Sequence, residues 1–151
     1  MTDPISYSAT SPRFALPLLF AGQSQKEITV NEALLITDIL LHPAIEGIAN
    51  TVPAAPTIGQ CWIVGTGTTG AFTGQADRIA AWSEGGWRFL TPREGMRAYD
   101  FSNTAHRIFS GGIWRLVVAP TTPSGGSVVD AQARTAISAI LAALRTGGII
   151  S

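Results

Sequence analysis

The sequence is poor in charge, lysine, cysteine, histidine and long apolar runs, and each shortage excludes something. Charged residues make up 13% of the 151, about half the ~25% of an average soluble domain. Ten basic and ten acidic residues cancel, so no net charge keeps copies apart, and an obligate oligomer fits the composition better than a monomer. Lys26 is the single lysine and the arginines are scattered, which removes the clustered cations that nucleic-acid binding requires. Cys61 stands alone, so neither an intrachain disulfide nor a multi-cysteine metal site can form. Its setting, before Trp62, Ile63 and Val64, is that of a buried small hydrophobe. The stretch Phe14 to Ala21 is broken by Pro17 and falls far short of the ~20 residues that span a bilayer. Without a basic leader or cleavage site, no signal peptide and no membrane insertion are expected, and synthesis in a cytoplasm is the default.

What is present is glycine, 16 residues of it, together with four tryptophans and a 46% hydrophobic content. Residues 1–17 hold serine, threonine and proline without a period and read as an extended arm. Within residues 18–46, the run from Gln23 to about Leu41 has helical spacing. Ile28, Leu35 and Ile39 form one stripe, with Val30, Leu34 and Leu41 on the next. Ser24 and Glu27 have the spacing of a capping box, and Pro43 ends the helix. The proline-bearing linker from Asn50 to Gly59 lies inside a region, 47–119, that reads as a β-meander. Its strands are Gln60–Gly65, Arg78–Trp82, Trp87–Leu90, Met96–Phe101, His106–Phe109 and Trp114–Val118, separated by glycine-rich turns. Two hairpins echo each other 27 positions apart: Trp82-Ser83-Glu84-Gly85-Gly86-Trp87-Arg88-Phe89 and Phe109-Ser110-Gly111-Gly112-Ile113-Trp114-Arg115-Leu116. Residues 120–151 read as a linker and an oligomerisation helix. Asp130 is its cap, Ala133, Ile137, Ile140, Leu141 and Leu144 its seam, and Gly147 and Gly148 its terminators.

Chemistry is thin along this chain. Gly65 to Gly70 has the glycine spacing of a dinucleotide loop, but no helical run follows, so the fingerprint lacks its context. Asp77, Glu84, Glu94 and Asp100 lie near hairpin turns, where carboxylates are usually solvated, and make a weak glycosidase pair. His42 sits at a helix end, where a histidine acts as a cap or dipole partner. No catalytic residue, cofactor or metal ligand is assigned. Trp82, Trp87 and Trp114 are candidate glycan-stacking rings, with core packing as the competing use. Ile28, Leu35, Ile39, Ile137, Ile140, Leu141 and Leu144 are candidate oligomer contacts. The polar residues Gln23 to Glu27, Asn31, Glu32 and Asp38 form either a solvated helix face or a polar seam between subunits.

Leu16-Pro17-Leu18-Leu19, then Ala21-Gly22-Gln23-Ser24-Gln25-Lys26-Glu27, Asn31-Glu32-Ala33-Leu34 and Asp38, resemble an uncharacterised domain family of virion proteins. Such proteins occur in tailed phages, prophages and gene transfer agents of alphaproteobacteria. The resemblance continues through Gly59 to Gly65, Thr69 to Phe72, Ile79 to Trp82 and Gly86-Trp87, covering roughly residues 14–118. It implies a virion protein of the tail fibre, spike or collar kind, a homotrimer as such fibres generally are, and it brings no catalytic residues with it.

The reading as a whole is an α+β fold: an N-terminal helix, a small antiparallel meander of hairpins and a C-terminal helix, in a homo-oligomer. The expected role is a non-enzymatic structural subunit that mediates assembly and host-surface attachment, with its arm on other virion proteins. The alternative is a module binding host-surface polysaccharide, and less favoured than that is an enzyme degrading it.

Overall fold

The computed structural model describes residues 9–19, 26–127 and 129–150. The start of the arm and the Ser24 cap lie outside the described residues.

The chain is α+β. In order come α1 (Lys26–Leu41), β1 (Ala44–Ile45), β2 (Ile48–Ala49), β3 (Cys61–Val64), β4 (Ile79–Ser83), β5 (Gly86–Leu90), β6 (Arg97–Asp100), β7 (Ala105–Ser110), β8 (Ile113–Leu116) and α2 (Ala131–Thr146). The six strands expected from alternation and glycine turns are β3 to β8, each placed within a few residues of its expected position. They do not form one meander. They divide into two four-stranded sheets, ordered β2-β3-β4-β5 and β1-β6-β7-β8.

The division is made by β1 and β2, which two-residue runs of ordinary composition do not announce. β1 pairs in parallel with β6, through Ala44 to Tyr99 and Ile45 to Asp100. β2 pairs in parallel with β3, through Ile48 to Ile63 and Ala49 to Val64. Between them the backbone crosses from one sheet to the other, with Glu46 N–H donating to Cys61 O and Gly47 O accepting from Ile63 N–H. Gly47 is buried at φ 147°, and a Cβ there would meet Ser102 Oγ at 3.1 Å. That corner therefore requires glycine on both conformational and steric grounds.

The inner faces of both sheets supply one core. Cys61, Ile63, Ile79, Ala81 and Leu90 come from one sheet and Ile45, Ala98 and Trp114 from the other, with Ile39 of α1 added. A second cluster lies on the outer face of the β2-β3-β4-β5 sheet, where Val64 and Ala80 meet Phe72 from a single 3-10 turn at Gly70–Phe72. That turn follows the glycines of 65–70, so no long helix presents its amino end there, and Thr68 Oγ1 donates to Phe72 O.

The hairpin echo is structural. Trp82 faces Trp87 across the β4–β5 turn, and Phe109 faces Trp114 across the β7–β8 turn. Successive residues on a strand alternate faces, and the two sheets use opposite parities at this pair. Phe109 and Trp114 enter the common core, whereas Trp87 packs in the outer cluster.

The described part of the arm closes on itself. Ser11 N–H donates to Leu16 O and Leu18 N–H to Ala9 O, while Ser11 Oγ accepts from Leu16 N–H. Residues 9–18 thus form a hairpin-like loop with Arg13 and Phe14 at its tip. Ala15 turns the loop at φ 50°, a left-handed conformation that costs an L-residue roughly 1–2 kcal/mol. A15G is expected to stabilise the protein by about 0.5–1 kcal/mol, the strain relief being partly offset by the freer unfolded chain. In a thermal melt this is a rise of roughly 1–4 °C. An unchanged or lower midpoint would show that the turn stores no strain.

Candidate interaction surfaces

Three polar residues of α1 are bonded to other parts of the chain. Asn31 brackets Leu19, accepting from its N–H at 2.8 Å and donating to its carbonyl at 2.9 Å. Asp38 is fully buried and accepts from the backbone N–H of Arg13 at 2.9 Å and of Phe14 at 2.6 Å. Arg13 then reaches the other way, donating to Ile39 O at 3.1 Å and His42 O at 2.7 Å. A helix end leaves carbonyls without intrahelical partners, and here an arginine from the loop satisfies them. His42 contributes its carbonyl rather than its imidazole, which is exposed. Glu32 pairs with Arg88 of β5 at 2.9 Å. Asn31, Glu32 and Asp38 thus fasten the loop and α1 to the body, with the Glu32 side chain staying partly exposed.

This fastening decides which face of α1 points out. Ile39 is in the core and Leu35 is half-buried, so the stripe expected to join subunits is in its central part the inward one. Ile28 alone of that stripe is exposed, at 73%. The opposite face carries Val30, Ala33, Ile36, Leu40 and Leu41, all exposed. The charged residues between Ile28 and Leu41 are Glu32, which pairs with Arg88 and stays partly exposed, and the buried Asp38. The outward face thus sets these apolar side chains among the exposed Lys26, Thr29 and Thr37.

α2 is held by its far end. Asp130 caps it, its side chain accepting from Ala133 N–H. At the other terminus Gly148 N–H donates to Arg145 O and Ile149 N–H to Leu144 O, with Gly148 at φ 65°. This is the double closure of a Schellman motif. The terminus is joined to the β1-β6-β7-β8 sheet by His106 N–H donating to Gly148 O, with Gly148 against the Tyr99 ring. Leu141 and Ile150 are buried and Leu144 is half-buried. Leu141 is accordingly removed from the expected oligomer contacts, its place being taken by packing within its own chain. Ile137 and Ile140 remain exposed, at 40% and 59%. No charged residue lies between Arg134 and Arg145.

The three candidate glycan-stacking tryptophans separate. Trp114 is buried in the core, and its indole N–H donates to Asp77 O at 2.8 Å. It offers no face to a sugar, a correction that follows from the strand parity. Trp87 is half-buried, with Trp62, Phe72 and Trp82 around it at 5.7, 4.9 and 5.0 Å between ring centroids and interplanar angles of 59–76°. Edge-to-face packing of this kind fills a core, whereas stacking on a sugar needs a free, flat face. Trp82 is half-buried and has one ring neighbour, Trp87. Trp62 and Phe72 belong to this group.

The titratable groups do not converge. Asp100 is fully buried and accepts from Ser102 N–H, Ser102 Oγ, Asn103 Nδ2 and Arg107 Nε. Burial alone would raise its pKa, but the bonds from Ser102, Arg107 and Asn103 together outweigh it and hold the carboxyl below the ordinary 3.8. Glu94 binds the Gly111 N–H at the β7–β8 turn, while Glu84 sits at the other hairpin. The Cys61 thiol is pushed up to about 11 by burial, a rise that the Arg13 charge only partly opposes. It stays protonated and unreactive at neutral pH. Among the described residues no group of three or more His, Cys, Asp or Glu is placed to hold a metal ion, and no helix is long and apolar enough to cross a membrane. A groove of about 670 Å³ runs between the arm loop, Leu35, Ile58 and the β4–β5 turn. Its Ser11 and Ser83 hydroxyls and its Arg13 guanidinium are engaged within the chain.

The molecule is thus a two-sheet α+β module flanked by helices that leave several large apolar side chains exposed. Residues 30–115 match the model of a family described as a protein of unknown function (DUF2793), and the chain belongs to that family. The match begins inside α1 and ends in β8, leaving the arm loop and α2 outside it. No match is found among curated proteins.

Proposed function

We propose that the protein is a structural subunit of a phage-like particle, of the fibre, spike or collar kind, and that its task is assembly rather than catalysis. The observation that carries this reading is the number of large apolar side chains left exposed on the two helices: Ile28, Val30, Ile36, Leu40 and Leu41 on α1, and Ile137 and Ile140 on α2. Exposed apolar surface of this extent marks an interaction site. The lack of net charge leaves no long-range repulsion between copies. The particle setting rests on the sequence resemblance of residues 14–118, and host-surface attachment through the half-buried Trp82 and its neighbours belongs to the same reading.

Light scattering on the full chain tests it. The expected mass is a closed multiple of 15.8 kDa, three copies being the number that the fibre setting implies. A clean monomer at micromolar concentration would sink the proposal.

A further inference from the structure

We infer that the outward face of the β1-β6-β7-β8 sheet binds an acidic polysaccharide, with Arg97 and Arg115 taking its carboxylates. This deepens the attachment part of the proposed function and rests on it, and it adds a second face to the aromatic one around Trp82.

The neutral total conceals an uneven distribution. Residues 91–151 hold six arginines against three acids, Glu94, Asp100 and Asp130. All three acids are engaged within the chain: Glu94 accepts from Gly111 N–H, Asp100 is buried against Arg107, and Asp130 caps α2. Arg93, Arg97, Arg115 and Arg145 are exposed. The ion pairs among the described residues are Arg88 with Glu32 and Arg107 with Asp100, so among those residues these four have no carboxylate partner.

Two of the four share one face. Cross-strand partners point to the same side of a sheet, and Arg97 faces Ile108, which in turn faces Arg115. Their neighbours Ala98, Phe109 and Trp114 enter the core, which turns the row of Arg97, Ile108 and Arg115 outward. The two arginines stand two strand spacings apart, roughly 10 Å, with the half-buried Ile108 between them. Arg115 is steadied by its Nε donating to Ser110 O at 3.2 Å. Beside the row, Tyr99 and Phe101 pack edge to face at 5.5 Å, and Phe101 is 53% exposed.

Charge complementarity selects an anion, and spacing selects its kind. Duplex DNA carries a charge every ~1.7 Å of its axis and is answered by clustered cations, not by two that stand apart. Peptides dock by adding a strand at a sheet edge or by laying a helix in a groove. Arg97 stands on β6, an inner strand between β1 and β7 with no free edge. A polyuronate separates its carboxylates with uncharged ring atoms, so its acids meet the two guanidiniums while a sugar face lies on Phe101.

The test uses the full chain and immobilised polygalacturonate, read by biolayer interferometry. The native chain should bind it, more weakly as salt is raised, and should not bind neutral dextran. Arg97→Gln with Arg115→Gln should weaken binding about tenfold, two exposed ion pairs being lost. Lys26→Gln, which removes a cation from α1, should leave binding within about twofold of native, because distant surface charges are screened. Arg97→Gln alone serves should the double variant fail to fold, with circular dichroism as the check. No binding to polygalacturonate, equal binding to dextran, or a folded Arg97 variant that binds like the native chain overturns the inference. So does tighter binding to poly-glutamate or duplex DNA, which would make the occupant a protein or a nucleic acid. In each case the light-scattering mass still judges the assembly reading by itself, so the two fail separately.

Discussion

Replacing Asp100 by alanine is expected to destabilise the protein by about 3–5 kcal/mol, the usual cost of removing one partner of a buried ion pair. The carboxylate is completely enclosed and ties together four donors from three residues at the β6–β7 turn, with the Arg107 Nε contact at 2.6 Å. Without it, Arg107, whose side chain is 12% exposed, keeps its charge and loses its counterion. For a domain of this size the midpoint should fall by roughly 6–20 °C. The carboxyl is held below its ordinary 3.8 in the folded protein. Its stabilising contribution is therefore complete above the unfolded value and is lost as pH falls through the lower folded value. Urea midpoints measured from pH 2 to pH 7 should show the gap between the native chain and Asp100→Asn closing below about pH 4. A gap of constant width across that range would mean that the bonds to Asp100 do not favour its charged form.

Asp38→Ala should cost about 3–4 kcal/mol and free the arm loop. It removes two charge-assisted bonds, each worth roughly 1.5–3 kcal/mol, and leaves a cavity against α1. The partners are 24 and 25 residues away in sequence, so the loop loses its main tie to the helix, and Arg13 loses the geometry that places it over the α1 carbonyls. Trypsin is the direct readout. Cleavage after Arg13, which is half-buried in the native chain, should accelerate by at least tenfold while the sheets stay resistant. If the variant melts several degrees lower with no new cut at Arg13, Asp38 supports α1 alone and does not hold the loop.

These expectations show how the sequence and the folded chain divide the information. The six longer strands and α2 were legible because their determinants are local: alternating apolar residues, glycine at turns, Asp130 at one helix end and Gly147-Gly148 at the other. The hairpin echo was legible for the same reason, since a two-residue turn and the pair flanking it lie within eight positions. α1 was legible as a helix, but not as to which side faces in. Its apolar residues surround the axis, so its periodicity points in no single direction.

The sequence by itself therefore determined the class, the hairpins, the helices and the shortage of reactive groups, all of which follow from composition and near-neighbour spacing. Tertiary structure alone decided the rest. It split the strands between two sheets, because β1 and β2 take their register from distant parallel partners. It sent Trp114 into the core and Trp87 to the outer cluster, because the faces of each sheet are defined only by what packs on them. It joined Asn31, Glu32 and Asp38 to a loop and a strand that folding brings close. The exposure of Val30, Ile36 and Leu40 is the consequence, and it is defined only once the other side of α1 has been buried.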